Sequence, residues 1–289
     1  MSAHKIILDG QDKRVRARRW SGKYSDYLAD YNDNFIIKPH PDIIEAYKRG
    51  AGSEIPTEYD AENNRWYRLY RNKIVPAKMQ AIHSSSALVC NAFGYWYDAS
   101  NKSPLQSALG STGKIVRIEF EDAKRTGLGG IPPHLDVVIY CEGMVYAIES
   151  KFSEPYQEEK NEIVMRSKSY DPALWRNKGL DKCADLVGLI NSGKMNGRYK
   201  YLSINQLLKH ILGLAHNHGQ AFELLYLWYE VPSAVESNAH KDEVENFKAL
   251  LGDEVNFKSI TYQDFFQVLK RACDGHHKKY FNGFSARYL

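Results

Sequence analysis

Cysteine is scarce in this 289-residue chain: Cys90, Cys141, Cys183 and Cys273 are scattered, with no C-x-x-C pair among them. That leaves no disulfide frame and no standard zinc knuckle, and it reads as reduced core cysteine in a cytoplasmic protein. No apolar run approaches roughly 18 residues, so no stretch qualifies as a transmembrane helix. The first ten residues hold too short an apolar stretch for a secretion signal. Ser84-Ser-Ser86 lacks a Gly-x-Ser-x-Gly elbow, and Gly127-Leu-Gly-Gly130 lacks a following Lys-Ser/Thr. Serine hydrolysis and P-loop nucleotide chemistry are thereby removed. His216-Asn-His218 and His276-His277 have no zinc-site spacing and read as helix-end or surface histidines. No internal repeat or low-complexity tract is present.

Hydrophobic residues at 43% and charged residues at 26% suit a soluble globular chain, and the length suffices for a proper core. The most informative segments are Leu135-Asp-Val-Val-Ile-Tyr-Cys141 and Met144-Val-Tyr-Ala-Ile-Glu-Ser-Lys-Phe152. Both are rich in β-branched and aromatic residues, with Glu142-Gly143 as the turn signal between them, which predicts a β-hairpin. A tight turn there pairs Cys141 with Met144 and, counting back, sets Asp136 opposite Glu149. Lys151, two residues on, shares the face of Glu149. Side chains directly opposite have Cβ atoms about 4.5–5.5 Å apart, and like charges at that spacing repel. Two carboxylates facing each other in buried strands need a compensating cation, which a divalent metal with a lysine beside it supplies. Mg²⁺ suits such a pair, with Mn²⁺ as a substitute, because it keeps several waters and takes only one or two protein carboxylates.

An aspartate, twelve intervening residues and then Glu149-Ser150-Lys151 across a hairpin resembles the catalytic signature of the PD-(D/E)XK nuclease superfamily, the restriction-endonuclease-like fold. Leu135 stands where the usual proline would precede the aspartate, with Pro132-Pro133 displaced upstream. The wider surroundings resemble a less-studied bacterial family of restriction-endonuclease-like proteins. They run from Ile131-Pro-Pro-His-Leu-Asp136 through Ala147-Ile-Glu-Ser-Lys-Phe152 to Tyr156, with His83-Ser-Ser-Ser-Ala-Leu88 and Asn91-Ala-Phe-Gly94 fitting the opening helix. The resemblance covers about residues 75 to 275.

What it implies is an α/β fold with an αβββαβ core, a central mixed sheet flanked by helices, and a metal-dependent endonuclease acting on DNA in a setting such as restriction or defence. Asp136, Glu149 and Lys151 are the expected catalytic set. Asp136 and Glu149 are the expected metal ligands, joined by the Ile148 main-chain carbonyl, and Lys151 orients the attacking water and stabilises developing charge. Relatives add a further acidic residue, often from the opening helix. Residues 77–93 have none, which leaves Glu119 and Glu121 on the preceding strand as candidates. Gln206 and His210, at i and i+4 of a later helix, are candidates for phosphate contact. Two other readings stay open: a nuclease-fold protein that binds nucleic acid or a partner without cutting, and an RNA-directed nuclease. Many superfamily members dimerise to cut both strands, so a homodimer is a further expectation.

Net charge is +4 with a pI near 8.6, and the charge is unevenly spread. Lys13-Arg-Val-Arg-Ala-Arg-Arg19 is a basic run followed by Trp20. Arg65, Arg68, Arg71 and Lys73 interleave with Trp66, Tyr67 and Tyr70. Cations among aromatics suit phosphate contact with base stacking, which nominates Arg16, Arg18, Arg19, Arg65 and Arg68 for duplex DNA. A solvated face with its stems packed over the core is the competing explanation.

Residues 1–75 read as an N-terminal extension of short helices and loops packed on a 76–275 nuclease-like domain, with 276–289 as a C-terminal tail. Helices are predicted over 77–93, 173–191, 203–217, 235–251 and about 261–272, and strands over 115–121, 222–231 and 256–260. Residues 153–172 read as polar and irregular.

Overall fold

The turn at Glu142-Gly143 organises the molecule. Gly143 adopts φ +81°, a left-handed conformation that glycine reaches without a Cβ clash. The computed structural model describes residues 1–50, 54–128, 130–156, 165, 170–273 and 275–289. Residue 129 of the glycine-rich loop, and 157–164 and 166–169 of the polar stretch, lie outside the described residues.

The N-terminal part holds helices α1 (Ala3–Arg14) and α2 (Pro41–Arg49) and strands β1 (Glu58–Asp60), β2 (Arg65–Tyr70) and β3 (Lys73–Val75). Helices α3 (Ser85–Asp98) and α4 (Ser103–Leu109) follow, then strands β4 (Ile115–Ala123), β5 (His134–Cys141) and β6 (Met144–Lys151). The remainder is α5 (Pro172–Arg176), α6 (Asp181–Asn191), α7 (Ile204–His218), β7 (Phe222–Trp228), α8 (Val235–Leu251), β8 (Phe257–Thr261), α9 (Tyr262–Arg271) and α10 (Lys278–Tyr288).

Strands β4 to β8 form one mixed sheet in that spatial order. β4, β5 and β6 are antiparallel, while β7 and β8 run parallel to β6. Alternate residues divide between two cores: Tyr146, Ile148, Leu225 and Leu227 join a cluster with α2, α3, α4, α9 and α10. Val145, Ala147, Leu224 and Tyr226 join one with α6, α7 and α8. Burial on both faces explains why β7 reads as a near-continuous apolar run. Helix α7 crosses close to the chain leaving β4. A Cβ on Gly213 would meet the Lys124 carbonyl oxygen at 2.8 Å and the Lys124 Cβ at 2.9 Å. Among the described residues no helix is long and apolar enough to cross a membrane.

Several boundaries differ from the sequence reading. The helix predicted over 77–93 begins only at Ser85, because Ser84 caps it by accepting from the Ala87 amide at 3.2 Å. Residues 78–80 form a separate short turn instead, closed by Gln80 Oε1 accepting from the Ala77 amide at 2.7 Å. Gly94 does not stop the helix, which runs on to Asp98. The helix predicted over 173–191 is two, with a turn through Gly179 between them. Residues 58–75, expected as helices and loops, form an antiparallel three-stranded sheet, since Trp66, Tyr67 and Tyr70 are aromatic residues that favour strands and Asp60 pairs with Arg65 across it at 3.2 Å. Residues 276–289 contain α10, whose Tyr280, Phe281, Phe284 and Tyr288 are buried. Asn91 ties that helix to α3 by donating to the Tyr288 hydroxyl at 2.7 Å.

Candidate active site

The β5–β6 ladder runs from Cys141↔Met144 to Val137↔Ile148, the register predicted from the turn. One step beyond its last rung stand Asp136 and Glu149. The β4–β5 ladder sets Phe120 against Val137 and Asp122 against Leu135, so Glu121 falls opposite Asp136 on the other side. Three acidic residues therefore lie abreast on adjacent strands. Glu121 has φ +51°, an unusual conformation for a residue with a side chain inside a strand, and its Oε2 comes close to Gly50 at the end of α2. Glu119 does not join them: its carboxylate pairs with Arg117 at 2.6 Å and its side chain is 42% exposed, against 13% for Glu121.

Glu149 is 2% exposed and is held from two directions. Lys151 Nζ lies 2.6 Å from its Oε1, and His210 Nε2 on α7 lies 2.9 Å from its Oε2. The Lys151 ammonium also donates to Gln206 Oε1 at 3.0 Å. Asp136 Oδ2 accepts from the Ser150 amide at 2.7 Å. The Ser150 side chain turns to the opposite face, where its hydroxyl meets the Tyr262 hydroxyl at 2.6 Å. Phe152 N donates to Glu154 Oε2 at 2.9 Å, which closes the segment after Lys151. Ile148, whose carbonyl was the further expected ligand, is paired within the ladder to both Val137 and Leu225.

The electrostatics separate the three carboxyls. Burial, and then the Glu149 charge, hold Asp136 well above the ordinary aspartate range. Burial alone would raise Glu149 too, but Lys151 and His210 override it and hold it at about 2. Burial, with Glu54 and then Glu149 nearby, raises Glu121 to about 7. Burial opposes the Lys151 charge, yet Glu149 and Asp136 raise its proton affinity. Glu54 was not singled out from sequence. It is 6% exposed, pairs with Lys78 at 2.7 Å and accepts from the Ser86 hydroxyl at 2.8 Å. Its position beside α3 supplies the acidic neighbour that residues 77–93 lack.

Glu121 makes the cluster sensitive to pH. A carboxyl whose folded pKa is raised contributes stability that is present below its unfolded value and is lost as pH rises through the folded one. In chelator, thermal stability should therefore decline between about pH 4.5 and about pH 7, the interval set by the Glu121 shift. Glu121→Gln should flatten that decline in melting curves recorded across the interval, and an unchanged slope would remove Glu121 as its source.

The donor set fits a hard divalent cation in its chemistry: three carboxylates, Glu121, Asp136 and Glu149, lie abreast at one sheet end, and Glu149 is buried with Lys151 against one of its oxygens and His210 against the other. The fit is one of charge and donor type, since among the described residues no three His, Cys, Asp or Glu side chains stand as a preformed cage. Two clefts reach the neighbours of the cluster. One, of about 450 Å³, is lined by Glu54, Lys78, Ser86, Ser153 and Glu154. The other, of about 320 Å³, is lined by His134, Asn205, Gln206, Lys209 and His210.

The nominated cations lie elsewhere, in the N-terminal part. Arg16 and Arg18 are exposed, Arg18 donating to the Asn63 carbonyl at 3.0 Å. Arg19 is tied to Asp12 and donates to the Val15 carbonyl at 2.9 Å. Arg65 stacks on Trp20 and Arg68 on Tyr70. Gln206 and His210, nominated for phosphate, meet Lys151 and Glu149.

A family model described as Restriction Endonuclease associating with ARP matches residues 16–289. No curated protein and no solved structure matches the chain.

Proposed function

The chain belongs to the family of Restriction Endonucleases associating with ARP, and on that premise we propose that it is a metal-dependent endonuclease that hydrolyses phosphodiester bonds of duplex DNA. The observation that carries this reading is the in-register pair Asp136 and Glu149 with Lys151 at 2.6 Å. The order of α3, three antiparallel strands, α7 and a parallel strand supports a restriction-endonuclease-like core. Mg²⁺, or Mn²⁺ in its place, supplies when bound charge neutralisation on the scissile phosphate and an activated water.

The chain does the rest. Asp136 and Glu149 hold the cation, with Glu121 as the third acid. Lys151 has three ammonium protons and directs two of them, one to Glu149 and one to Gln206. The third is left for the attacking water or a phosphate oxygen, where it stabilises charge that develops in the transition state. His210 and Gln206 keep Glu149 and Lys151 in place from α7. Because Lys151 and His210 lower the proton affinity of Glu149, its negative charge is favoured at neutral pH.

Supercoiled plasmid incubated with the purified protein should convert to nicked or linear forms in Mg²⁺ or Mn²⁺ and remain intact in chelator. Conversion in chelator, or intact plasmid in both metals with folded protein, would overturn the reading. Cleavage of RNA with plasmid left whole would move the substrate to RNA.

A further inference from the structure

Past Arg68 the tip of the β2–β3 ribbon is exposed as far as Ile74. Leu69 is 59% exposed, Tyr70 50% and Ile74 46%. Leu69 pairs with Ile74 and Tyr70 with Lys73, so the ribbon shows an apolar pair on one face and a tyrosine beside a lysine on the other. From Arg65 to Lys73 there are four cations and no carboxylate. At the base of the ribbon Arg65 sits 4.3 Å over the Trp20 ring, and the Arg18 bond to Asn63 brings the Lys13–Arg19 run alongside the β1–β2 turn.

The tip is the two-residue turn Arg71-Asn72, with φ +48° and +59°. Such a turn takes left-handed conformations at both positions and favours asparagine or glycine. Asn72 satisfies that preference and Arg71 does not, so an arginine is kept at a position that strains it. Its guanidinium packs 5.3 Å over the Tyr70 ring, and Arg68 approaches the same ring at 5.4 Å. An exposed apolar pair and a left-handed arginine at the ribbon tip add little to folding beyond the packing of Arg71 on Tyr70.

Resting on the nuclease reading for the choice of partner, we propose that the β2–β3 hairpin is the element that engages duplex DNA. A two-stranded ribbon fits the major groove, whose base edges include the apolar thymine methyl group. Arg68, Arg71 and Lys73 meet the flanking phosphates, and Leu69 with Ile74 lies against the base edges. The run of positive charge without a carboxylate selects a polyanion over a protein partner.

Binding of a short fluorescent duplex in chelator, titrated over a range of salt, tests this apart from cleavage. Arg71→Gly relieves the left-handed strain, so the melting temperature should hold or rise while affinity falls about tenfold. The slope of log K against log salt should flatten by about 0.9, the share of one phosphate contact. Leu69→Thr with Ile74→Thr should weaken binding and leave the slope unchanged. Wild-type affinity and slope in both variants would overturn the assignment, as would equal affinity for the single strand. A variant that loses a dimer on gel filtration yet binds duplex normally would give the ribbon to a second copy of the chain, against the proposal. If the hairpin variants bind normally while wild-type protein cuts plasmid in Mg²⁺, the hairpin fails and the nuclease reading stands. A wild-type protein that neither binds duplex nor cuts sinks both.

Discussion

Asp136→Asn should lower plasmid cleavage by about 10³-fold or more while the metal-free protein melts no lower than wild type. The asparagine side-chain oxygen can still accept from the Ser150 amide, so the local hydrogen bond survives. What disappears is a charge that burial and Glu149 already disfavour. A carboxyl with a raised folded pKa takes stability away as pH rises through that value, and at neutral pH its removal is a relief. The same substitution takes one ligand from the cation, so the rise in melting temperature on adding Mg²⁺ or Mn²⁺ should shrink, because a ligand that binds only the folded state stabilises it in proportion to its affinity. Cleavage at the wild-type rate would sink the assignment of Asp136. A lower melting temperature in chelator would show that its charge is compensated by something else.

Lys151→Met should behave in the opposite way toward stability. It leaves Glu149, 2% exposed, with His210 as its near partner, and breaking a buried ion pair from one side typically costs about 3–5 kcal/mol. Cleavage should fall by about 10²–10³-fold, because the lost donor acts on charge that develops in the transition state, while DNA binding in chelator stays near wild type. Adding Glu149→Gln to Lys151→Met removes the orphaned charge, and melting curves of the double variant should recover much of the loss without recovering cleavage. A single variant that cuts normally would remove Lys151 from the chemistry. A double variant no more stable than the single would mean that the ion pair is not what holds this end of β6.

The hairpin was legible from its residues alone, since Glu142-Gly143 fixes the register and the register fixes who faces whom. Helix α7 was legible from apolar spacing, and Gln206 with His210 stood out as sharing a face. Their partners did not, because the approach of His210 to Glu149 depends on how α7 packs on β6, which no local pattern encodes. Glu54 was invisible for the same reason: an isolated glutamate ahead of β1 becomes a neighbour of Glu121 only when the N-terminal part folds back. The β2–β3 ribbon was hidden by its charge. Arg65–Tyr70 has the aromatic content of a strand but its arginines stand three apart, without a strand's alternation, and its turn carries Arg71-Asn72 instead of the asparagine-glycine pair that signals a hairpin. In β4, the left-handed Glu121 breaks the alternation that would have placed Glu119 and Glu121 together.

Gly213 carries a consequence for how this protein can diverge. Helix α7 stands at its distance from the Lys124 backbone because position 213 has no side chain. Any larger residue there has to push the helix outward, and His210, one turn away, travels with it and leaves Glu149 Oε2 behind. Positions 124, 210 and 213 are thus coupled into one unit of variation. In a relative with a bulkier residue at the place of Gly213, the near neighbour of the buried glutamate is to be sought on another element.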